Sequence, residues 1–307
     1  MAHISTHYEI TDPVPFLDVD VSIDNRMFLD PRAIRLQRAP DPFVSEANQA
    51  TETFFDEITR CALSSSPGDQ RRGLDLLQHF EEPWETRLGL AKEGFGGHGG
   101  AEEVGSWIWE ALNTDLEALL RIGILRQLED LPLFVGGVDR DITSDVTTRI
   151  VFDALVGFTA QMITEFPQFR SAGHRVAMSE RQVWDVSKLE WTSREVELPV
   201  VDGKPLLLVP RDWARPTLLM SAGRFYETSV LSYAQLEQAV TSSDGKLLKT
   251  PKDVLKTQPA LARGRGTNLR VTRRANEHND DLLAYFRTFV DSRYEPLGDD
   301  EIIRRIA

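Results

Sequence analysis

Three aspartates, Asp139, Asp141 and Asp145, lie within seven positions, between a short apolar run and a long helical pattern. If the run is extended, Asp139 and Asp141 project from one face, and Asp145 falls where a helix would begin. Their carboxylates could therefore meet at one cation or polar ligand, as metal ligands or as a general base. The alternative is a surface turn and a helix cap, with Arg140 offsetting part of the charge.

A second acidic pattern lies near the N-terminus. Apolar and polar residues alternate from Leu17 to Asp24, which predicts a strand with one buried face and one acidic face. On such a strand Asp18 and Asp20 project from the same side, about 6 to 7 Å apart. Together with Asp141 they form a candidate ligand set for Mg²⁺ or Mn²⁺, because these cations prefer oxygen ligands. The alternative is an exposed sheet edge whose charges prevent pairing with another chain.

Basic residues are concentrated late in the chain, in residues 246–274, which we call the basic arm. The arm carries a net charge of +8, and the rest of the chain carries −21. Such a segment could bind phosphate groups of a nucleic acid or the acidic surface of a partner protein, or it could fold back on the chain's own acidic surface. Its basic residues are Lys246, Lys249, Lys252, Lys256, Arg263, Arg265, Arg270, Arg273 and Arg274.

A glycine cluster from Gly94 to Gly100 precedes a helical pattern, and its backbone amides could bind phosphate. However, the cluster lacks the Gly-Lys-Ser/Thr ending of a P-loop. We therefore interpret it as a connector or lid, within which His98 is a candidate acid, base or ligand. The chain also lacks a nucleophile elbow, a zinc signature, a Rossmann fingerprint and a kinase motif set.

The elements expected to position these residues begin with an N-terminal hairpin, in which Asn25-Arg26 turns the strand into Met27–Leu29. Helical periodicity dominates from Ser45 to about Arg126. Leu133–Val135 is expected to be extended, and Ser144 or Asp145 to cap a helix that stops near Pro167.

The chain then turns to strands. We expect extended structure from Val176 to Val186 and a hairpin over residues 194–209 that turns at Asp202-Gly203, a pair suited to positive φ. Further helices are expected near residues 233–240, 251–257, 280–293 and 299–307. This order predicts an α+β fold. Residues 1–170 would form a mixed domain and residues 171–307 a second one containing the basic arm, although a single domain is also compatible with the pattern.

The composition restricts the functional classes. With 307 residues, 41% hydrophobic content and a net charge of −13, the chain can build a sizeable core and has no general affinity for nucleic acid or acidic lipid. The single cysteine, Cys61, cannot form an internal disulfide, which favours a reducing compartment. No apolar run approaches the roughly 18 residues that span a bilayer, so we expect a cytoplasmic protein without membrane contact.

Three short segments carry a resemblance to uncharacterised proteins of bacterial phage-defence islands. They are Glu85-Thr86-Arg87-Leu88-Gly89-Leu90 with the glycine cluster behind it, Val138-Asp139-Arg140-Asp141-Ile142-Thr143-Ser144-Asp145, and Leu206-Leu207-Leu208-Val209-Pro210. The resemblance implies a role in antiviral defence, often shared with a partner protein, and it transfers no catalytic residue.

Two functional hypotheses follow. The first is a defence component acting as a divalent-metal-dependent phosphodiesterase or nuclease, with Asp139, Asp141 and Asp145 at its centre, Asp18 and Asp20 as further ligands, and the basic arm binding phosphate. The second is a non-catalytic sensor or adaptor that binds a phage protein or a partner enzyme through its charged patches.

Overall fold

A computed structural model describes residues 3–89, 100–171 and 173–306 of the chain. About half of the chain is helical and the strands pair antiparallel, which confirms the predicted α+β class. The helices are α1 (Ile4–His7), α2 (Pro31–Leu36), α3 (Phe43–Leu63), α4 (Pro67–Leu76), α5 (Gly100–Asn113), α6 (Glu117–Arg121), α7 (Arg140–Ile150), α8 (Phe152–Glu165), α9 (Ala222–Phe225), α10 (Leu231–Glu237), α11 (Lys252–Lys256), α12 (Arg265–Glu277), α13 (Leu282–Asp291) and α14 (Asp299–Ile306).

The strands are β1 (Phe28–Leu29), β2 (Arg175–Asp185), β3 (Glu190–Val201), β4 (Lys204–Pro205), β5 (Ala214–Arg215), β6 (Val240–Thr241) and β7 (Leu247–Leu248). Short 3₁₀ helices span Trp84–Thr86, Leu128–Leu133, Pro167–Arg170, Arg211–Trp213 and Pro259–Leu261, and a π-helix spans Tyr226–Val230.

The largest sheet is a long hairpin of β2 and β3, extended by β4. Its register pairs Arg175 with Val200 at one end and Asp185 with Glu190 at the other. Asp202 and Gly203 have φ values of 50° and 78°, so they form the expected tight turn between β3 and β4. The sequence therefore predicted β2 and this turn correctly. It underestimated the length of β3, and it overestimated the strand after the turn, because β4 ends at Pro205 and not at Val209.

The predicted strand over Leu17–Ile23 is not formed. Isolated bridges occur nearby, from Phe16 to Pro210, from His3 to Asp20 and from Asn25 to Leu88. The expected N-terminal hairpin is therefore also wrong, because Phe28–Leu29 (β1) pairs with β5. The strand is absent for a local reason, because the carboxylate of Asp20 accepts hydrogen bonds from the backbone N–H and the hydroxyl of Ser22 and bends the chain. Side-chain bonds of this kind compete with a regular ladder.

Two further expectations need correction. Leu133–Val135 is not extended, because Leu133 ends a 3₁₀ helix and the N–H of Val135 donates to the carbonyl of Leu131. The helix expected to start at Ser144 or Asp145 starts at Arg140 and is capped by Asp139, and a break at Val151 separates it from α8. The sequence analysis also missed α12, which lies within the basic arm.

Two hydrophobic clusters form the core, and each one draws residues from both sides of residue 170. One cluster joins α3, α5 and the 3₁₀ helix at 128–133 to α10, α12 and α13. The other joins the N-terminal segment and α8 to the long hairpin and residues 206–209. Among the described residues, no single helix is long and apolar enough to cross a membrane, and α7 with α8 passes that test only as a pair bent by 72°.

Asp30 connects the N-terminal region to the segment after β5. One carboxylate oxygen accepts hydrogen bonds from the N–H groups of Arg32 and Ala33 at the start of α2, and the other accepts one from the N–H of Leu219 at 2.7 Å. Complete burial raises the pKa of Asp30 to about 6. This side chain therefore provides a helix cap and a long-range tether together.

We expect Asp30→Ala to lower the free energy of unfolding by about 2–4 kcal/mol, because it removes a cap and leaves the buried N–H of Leu219 without an acceptor. Asp30→Asn should cost less, since asparagine is also a good helix cap. Urea denaturation of the wild type and both variants measures the difference. Equal stability of the alanine variant and the wild type would contradict the tether.

Candidate functional site

The candidate site is built around the segment from Glu81 to Gly89, between α7 and the long hairpin. Pro83 precedes a single 3₁₀ turn, Trp84–Thr86, and Arg87 then adopts the left-handed conformation at φ 57° and ψ 25°. A non-glycine residue is uncommon there, and such residues often lie at functional sites. The turn leaves Trp84 exposed and directs Glu85 into the protein.

Glu85 is a buried carboxylate held by two arginines. Arg181 of β2 donates to one carboxylate oxygen at 2.8 Å, and Arg149 of α7 approaches the other at 3.3 Å. Arg149 also donates to the carbonyls of Glu81 and Glu82, at 2.6 and 2.7 Å. These bonds fix the segment against both α7 and the hairpin.

The three segments that carried the sequence resemblance lie together here. The N–H of Leu207 donates to the carbonyl of Glu85 at 2.9 Å, which joins the third segment to the first. A methyl group added at Gly89 would lie 3.4 Å from the Oδ1 atom of Asp141, so the first segment also lies against the second. Residues 52 and 122 positions apart thus form one local structure.

Trp84 contacts two arginines and borders two clefts. The guanidinium carbons of Arg87 and Arg181 lie 5.8 and 5.9 Å from the centre of its ring, within the range of cation–π attraction. Trp84 is 40% exposed.

Two clefts meet at Trp84. One cleft, of about 440 Å³, is also lined by His79, Glu81, Glu85, Arg149, Glu180, Arg181, Gln182 and Ser193. The other, of about 500 Å³, is also lined by Val21, Ser22, Ile23, Asp24, Arg87, Val201, Asp202 and Lys204.

Arg87 is a buried cation held mainly by carbonyl oxygens. Its guanidinium donates to the carbonyls of Val21 and Trp84, at 3.2 and 2.6 Å. Burial lowers the pKa of Arg87, while the nearby carboxylates of Asp24, Glu85 and Asp202 act in the opposite direction. These contacts position the guanidinium beside Trp84.

The aspartates of α7 lie beside this assembly. Asp139 caps the helix by accepting from the N–H groups of Asp141 and Ile142, at 3.1 and 3.3 Å, and Asp141 is buried. The pKa of Asp145 is raised to about 8, first by burial and then by the charges of Asp141, Glu82 and Asp139, while Arg149 acts in the opposite direction. The structure therefore brings the three predicted residues together and adds Glu82 to them.

Asp18 and Asp20 have local partners instead. Asp18 accepts from the N–H of Ser5 at 2.8 Å and from its hydroxyl at 2.5 Å, while Asp20 binds Ser22 as described above. In the described part of the chain, no group of three or more His, Cys, Asp or Glu side chains is arranged to hold a metal ion. The assignment of Mg²⁺ or Mn²⁺ to Asp18, Asp20 and Asp141 thus stays a prediction.

Most of the basic arm folds back on the chain. Arg265 donates to the carbonyls of Pro132 and Val138, Arg273 to that of Asp115, and Arg274 binds the carboxylate of Glu237 at 2.6 Å. Lys252 donates to the carbonyl of Glu227, and Lys256 forms an ion pair with the carboxylate of Glu227 at 3.0 Å. Arg270 donates to the carbonyl of Ala260 and to the hydroxyl of Thr267. Lys246, Lys249 and Arg263 are exposed. Binding of nucleic acid by the arm remains a prediction, with fewer free cations than the sequence suggested.

The glycine cluster, including His98, lies outside the described residues up to Gly99, and Gly100 begins α5. The sequence analysis missed Trp84, Arg149 and Arg181 as site residues. Glu85 lay inside a noted segment, but nothing local indicates that Arg181, 96 positions away, binds it.

Comparison with known proteins places this region in a family. A family model described as "Domain of unknown function (DUF8370)" matches residues 7–221, about 70% of the chain. The chain belongs to this family. The DUF8370 range contains the Trp84 turn, α7 and the long hairpin, and it ends just before α9. No curated protein and no solved structure matches the chain.

The raised pKa of Asp145 predicts a pH-dependent stability. The unfolded chain loses this proton near pH 4, but the folded chain keeps it up to about pH 8, so the folded state binds more protons in this interval and stability falls as pH rises through it. Asp145→Asn should therefore raise the free energy of unfolding at pH 8.5 by about 1–3 kcal/mol, after allowance for solvent at this half-buried side chain, and have little effect near pH 4.

Urea denaturation at several pH values measures this difference, with Asp56→Asn, on the exposed face of α3, as the matched control. A difference between Asp145→Asn and the wild type that does not change with pH would contradict the assignment.

Proposed function

We propose that the chain is a non-catalytic sensor or adaptor that binds a partner protein at the clefts around Trp84. The observation that carries the proposal is an exposed tryptophan in contact with two arginines, at the border of two clefts. Tryptophan and arginine are the residues most enriched among those that dominate the binding energy of protein interfaces. Because Arg87 and Arg181 are themselves held in place, little conformational entropy is lost when the surface is covered.

The charge of the clefts also favours a protein partner. Each cleft contains both signs, with Arg149 and Arg181 opposing acidic residues in one, and Arg87 and Lys204 opposing Asp24 and Asp202 in the other. A surface for nucleic acid would instead carry a basic excess that follows the phosphates. Mixed charges around an aromatic anchor suit a folded protein or a peptide with both signs.

The resemblance noted from the sequence gives the proposal its setting. This resemblance implies one of two kinds of partner: another protein of the same defence island, or a phage protein. The second and third of the segments that carry it contact Gly89 and Glu85 of the first, which also contains Arg87, so the resemblance and the proposed interface share the segment that holds Trp84 in place.

We expect Trp84→Ala to weaken partner binding at least tenfold, or about 1.4 kcal/mol, as is typical for a tryptophan at the centre of an interface. Quantitative affinity purification from host cells, with and without phage infection, would identify proteins captured by the wild type but not by the variant. Titration with the purified partner would then give the dissociation constants. Trp107→Ala is the matched control, because Trp107 is 47% exposed outside both clefts. Binding that is unchanged in Trp84→Ala would refute the proposal.

The carboxylates around Asp145 support a second candidate, the divalent-metal-dependent phosphodiesterase or nuclease. Four acidic side chains lie close enough for Asp139, Asp141 and Glu82 to raise the pKa of Asp145. A divalent cation would offset this repulsion and could activate a water molecule for attack on a phosphodiester. In this case Asp145 would lose its proton when the ion binds.

This candidate predicts that Mn²⁺ added at pH 7 releases protons from the wild type but not from Asp145→Asn, measured in weakly buffered solution. It also predicts Mg²⁺- or Mn²⁺-dependent cleavage of bis(p-nitrophenyl) phosphate or plasmid DNA, reduced at least about 100-fold by Asp141→Asn. Asp139→Asn should keep the fold, since asparagine also caps helices. Normal cleavage by Asp141→Asn, or no proton release from the wild type, would remove the candidate.

A further inference from the structure

A groove lies in the C-terminal part of the chain, between the π-helix and α10 on one side and α13 on the other. We call it the α13 groove. It has a volume of about 290 Å³, and its apolar walls are formed by Tyr233, Leu236, Leu282, Tyr285 and Phe289. Thr228, Ser229, Ser232 and Asp280 complete the lining. A recess of this size can receive one or two apolar side chains from a partner.

Exposed apolar side chains line this groove and are frequent in the segment of the chain that contains it. Leu236 is 55% exposed and Tyr285 is 58% exposed, although both line an apolar wall. Val240 and Leu248 form an antiparallel pair four residues beyond Leu236 in the chain, and both are also exposed. Of the eleven large apolar side chains that are strongly exposed in the described residues, six lie between 236 and 285. Such a concentration is typical of an interaction surface.

Arginines surround the Phe289 end of the α13 groove. The guanidinium carbons of Arg224 and Arg293 lie 5.5 and 4.3 Å from the centre of the Phe289 ring. Burial lowers the pKa of Arg224 most, and the charges of Arg293 and Arg215 lower it further, while the carboxylate of Asp30 acts in the opposite direction. Arg224 therefore lies close enough to each of the other two arginines to be repelled by them. Among the described residues, none of the three forms an ion pair with a carboxylate within 4 Å. We call Arg215, Arg224 and Arg293 the arginine rim.

The wall opposite α13 contains an unusual backbone segment. The π-helix Tyr226–Val230 interrupts the path from α9 to α10 and places Thr228 and Ser229 in the groove. Short π segments within helices are rare and occur frequently at functional sites. The segment therefore adds an independent indication that this wall is shaped for binding.

We propose that the α13 groove binds an acidic amphipathic helix of a partner protein, whose apolar side chains enter the groove while its carboxylates contact the arginine rim. A groove between helices is a common receptor for the apolar face of a partner helix. The carboxylates would relieve the mutual repulsion of the rim, which gives charge complementarity at one end of the groove.

Other occupants fit less well. A membrane surface would meet the exposed side chains, but it could not fill a recess between two helices. A second copy docked symmetrically would bring two arginine rims together, which like charges disfavour. The α13 groove also lies beyond the DUF8370 range, so this inference stands apart from the interface proposed at Trp84.

The experiment uses the full-length chain and a fluorescent synthetic helix of about 16 residues, with leucines on one face and glutamates on the other. Fluorescence anisotropy should detect binding of this peptide, and a version with lysines in place of the glutamates should bind at least tenfold more weakly. Leu236→Asp and Arg293→Glu should each weaken binding of the acidic peptide at least tenfold. Matched controls are Met178→Asp, 57% exposed on the long hairpin, and Arg26→Glu, an exposed arginine far from α13 in the sequence.

Circular dichroism and thermal melting establish that each variant is folded, and the milder Arg293→Gln should weaken binding in the same direction. The proposal is overturned if the acidic peptide does not bind, if the basic peptide binds as tightly, or if both groove variants bind like the wild type. Binding to vesicles of phosphatidylserine and phosphatidylcholine that is lost in the same variants would also overturn it in favour of a membrane surface. None of these results depends on Trp84, so failure here and failure of the proposed function are distinguishable.

Discussion

The buried carboxylate of Glu85 is the interaction on which the candidate site depends. It accepts from Arg149 of α7 and Arg181 of β2, and the carbonyl of the same residue accepts from Leu207. A buried carboxylate without partners is strongly disfavoured, so Glu85 can be buried only when both arginines are in position. Each partner comes from a different part of the fold, and the position of Trp84 follows from all of them. The main effect of this ion-paired group is to fix the positions of its partners, since buried salt bridges often add little net stability.

Each of the two arginines that bind Glu85 also contacts another part of the candidate site. Arg149 lies one helical turn after Asp145, so the helix that anchors Glu85 also holds the acidic group beside it. Arg181 lies on the other side of the turn, where it both binds Glu85 and contacts Trp84. The surface around Trp84 and the aspartates around Asp145 are therefore neighbouring parts of one structure, although the two proposed functions use them differently.

The sequence predicted the parts of this protein that depend on local patterns. The α+β class, β2 and the Asp202-Gly203 turn follow from periodicity and backbone preference, and all are present. The strand expected at Leu17–Ile23 is not formed, because Asp20 accepts a hydrogen bond from its neighbour Ser22. The alternation of apolar and polar residues does not indicate this local bond. At the site, the closeness of Asp139, Asp141 and Asp145 followed from their spacing, but the expected backbone was wrong, because Asp139 caps α7 and the other two lie within that helix instead of on an extended run. The pairing of Glu85 with Arg181 was not readable, because it depends on tertiary packing across 96 positions.

The C-terminal helices are attached to the rest of the fold through polar bonds as well as apolar packing. Asn268 of α12 donates to the carbonyl of Leu133, Arg265 donates to that of Val138, and the ring of Phe225 lies 5.8 Å from that of Phe134. The matched range, residues 7–221, therefore shares polar and aromatic contacts with the helices that follow it. Removal of everything after Ser221 would uncover Phe134 and leave the carbonyls of Leu133 and Val138 without these donors, so a fragment trimmed to the family boundary would be prone to aggregate.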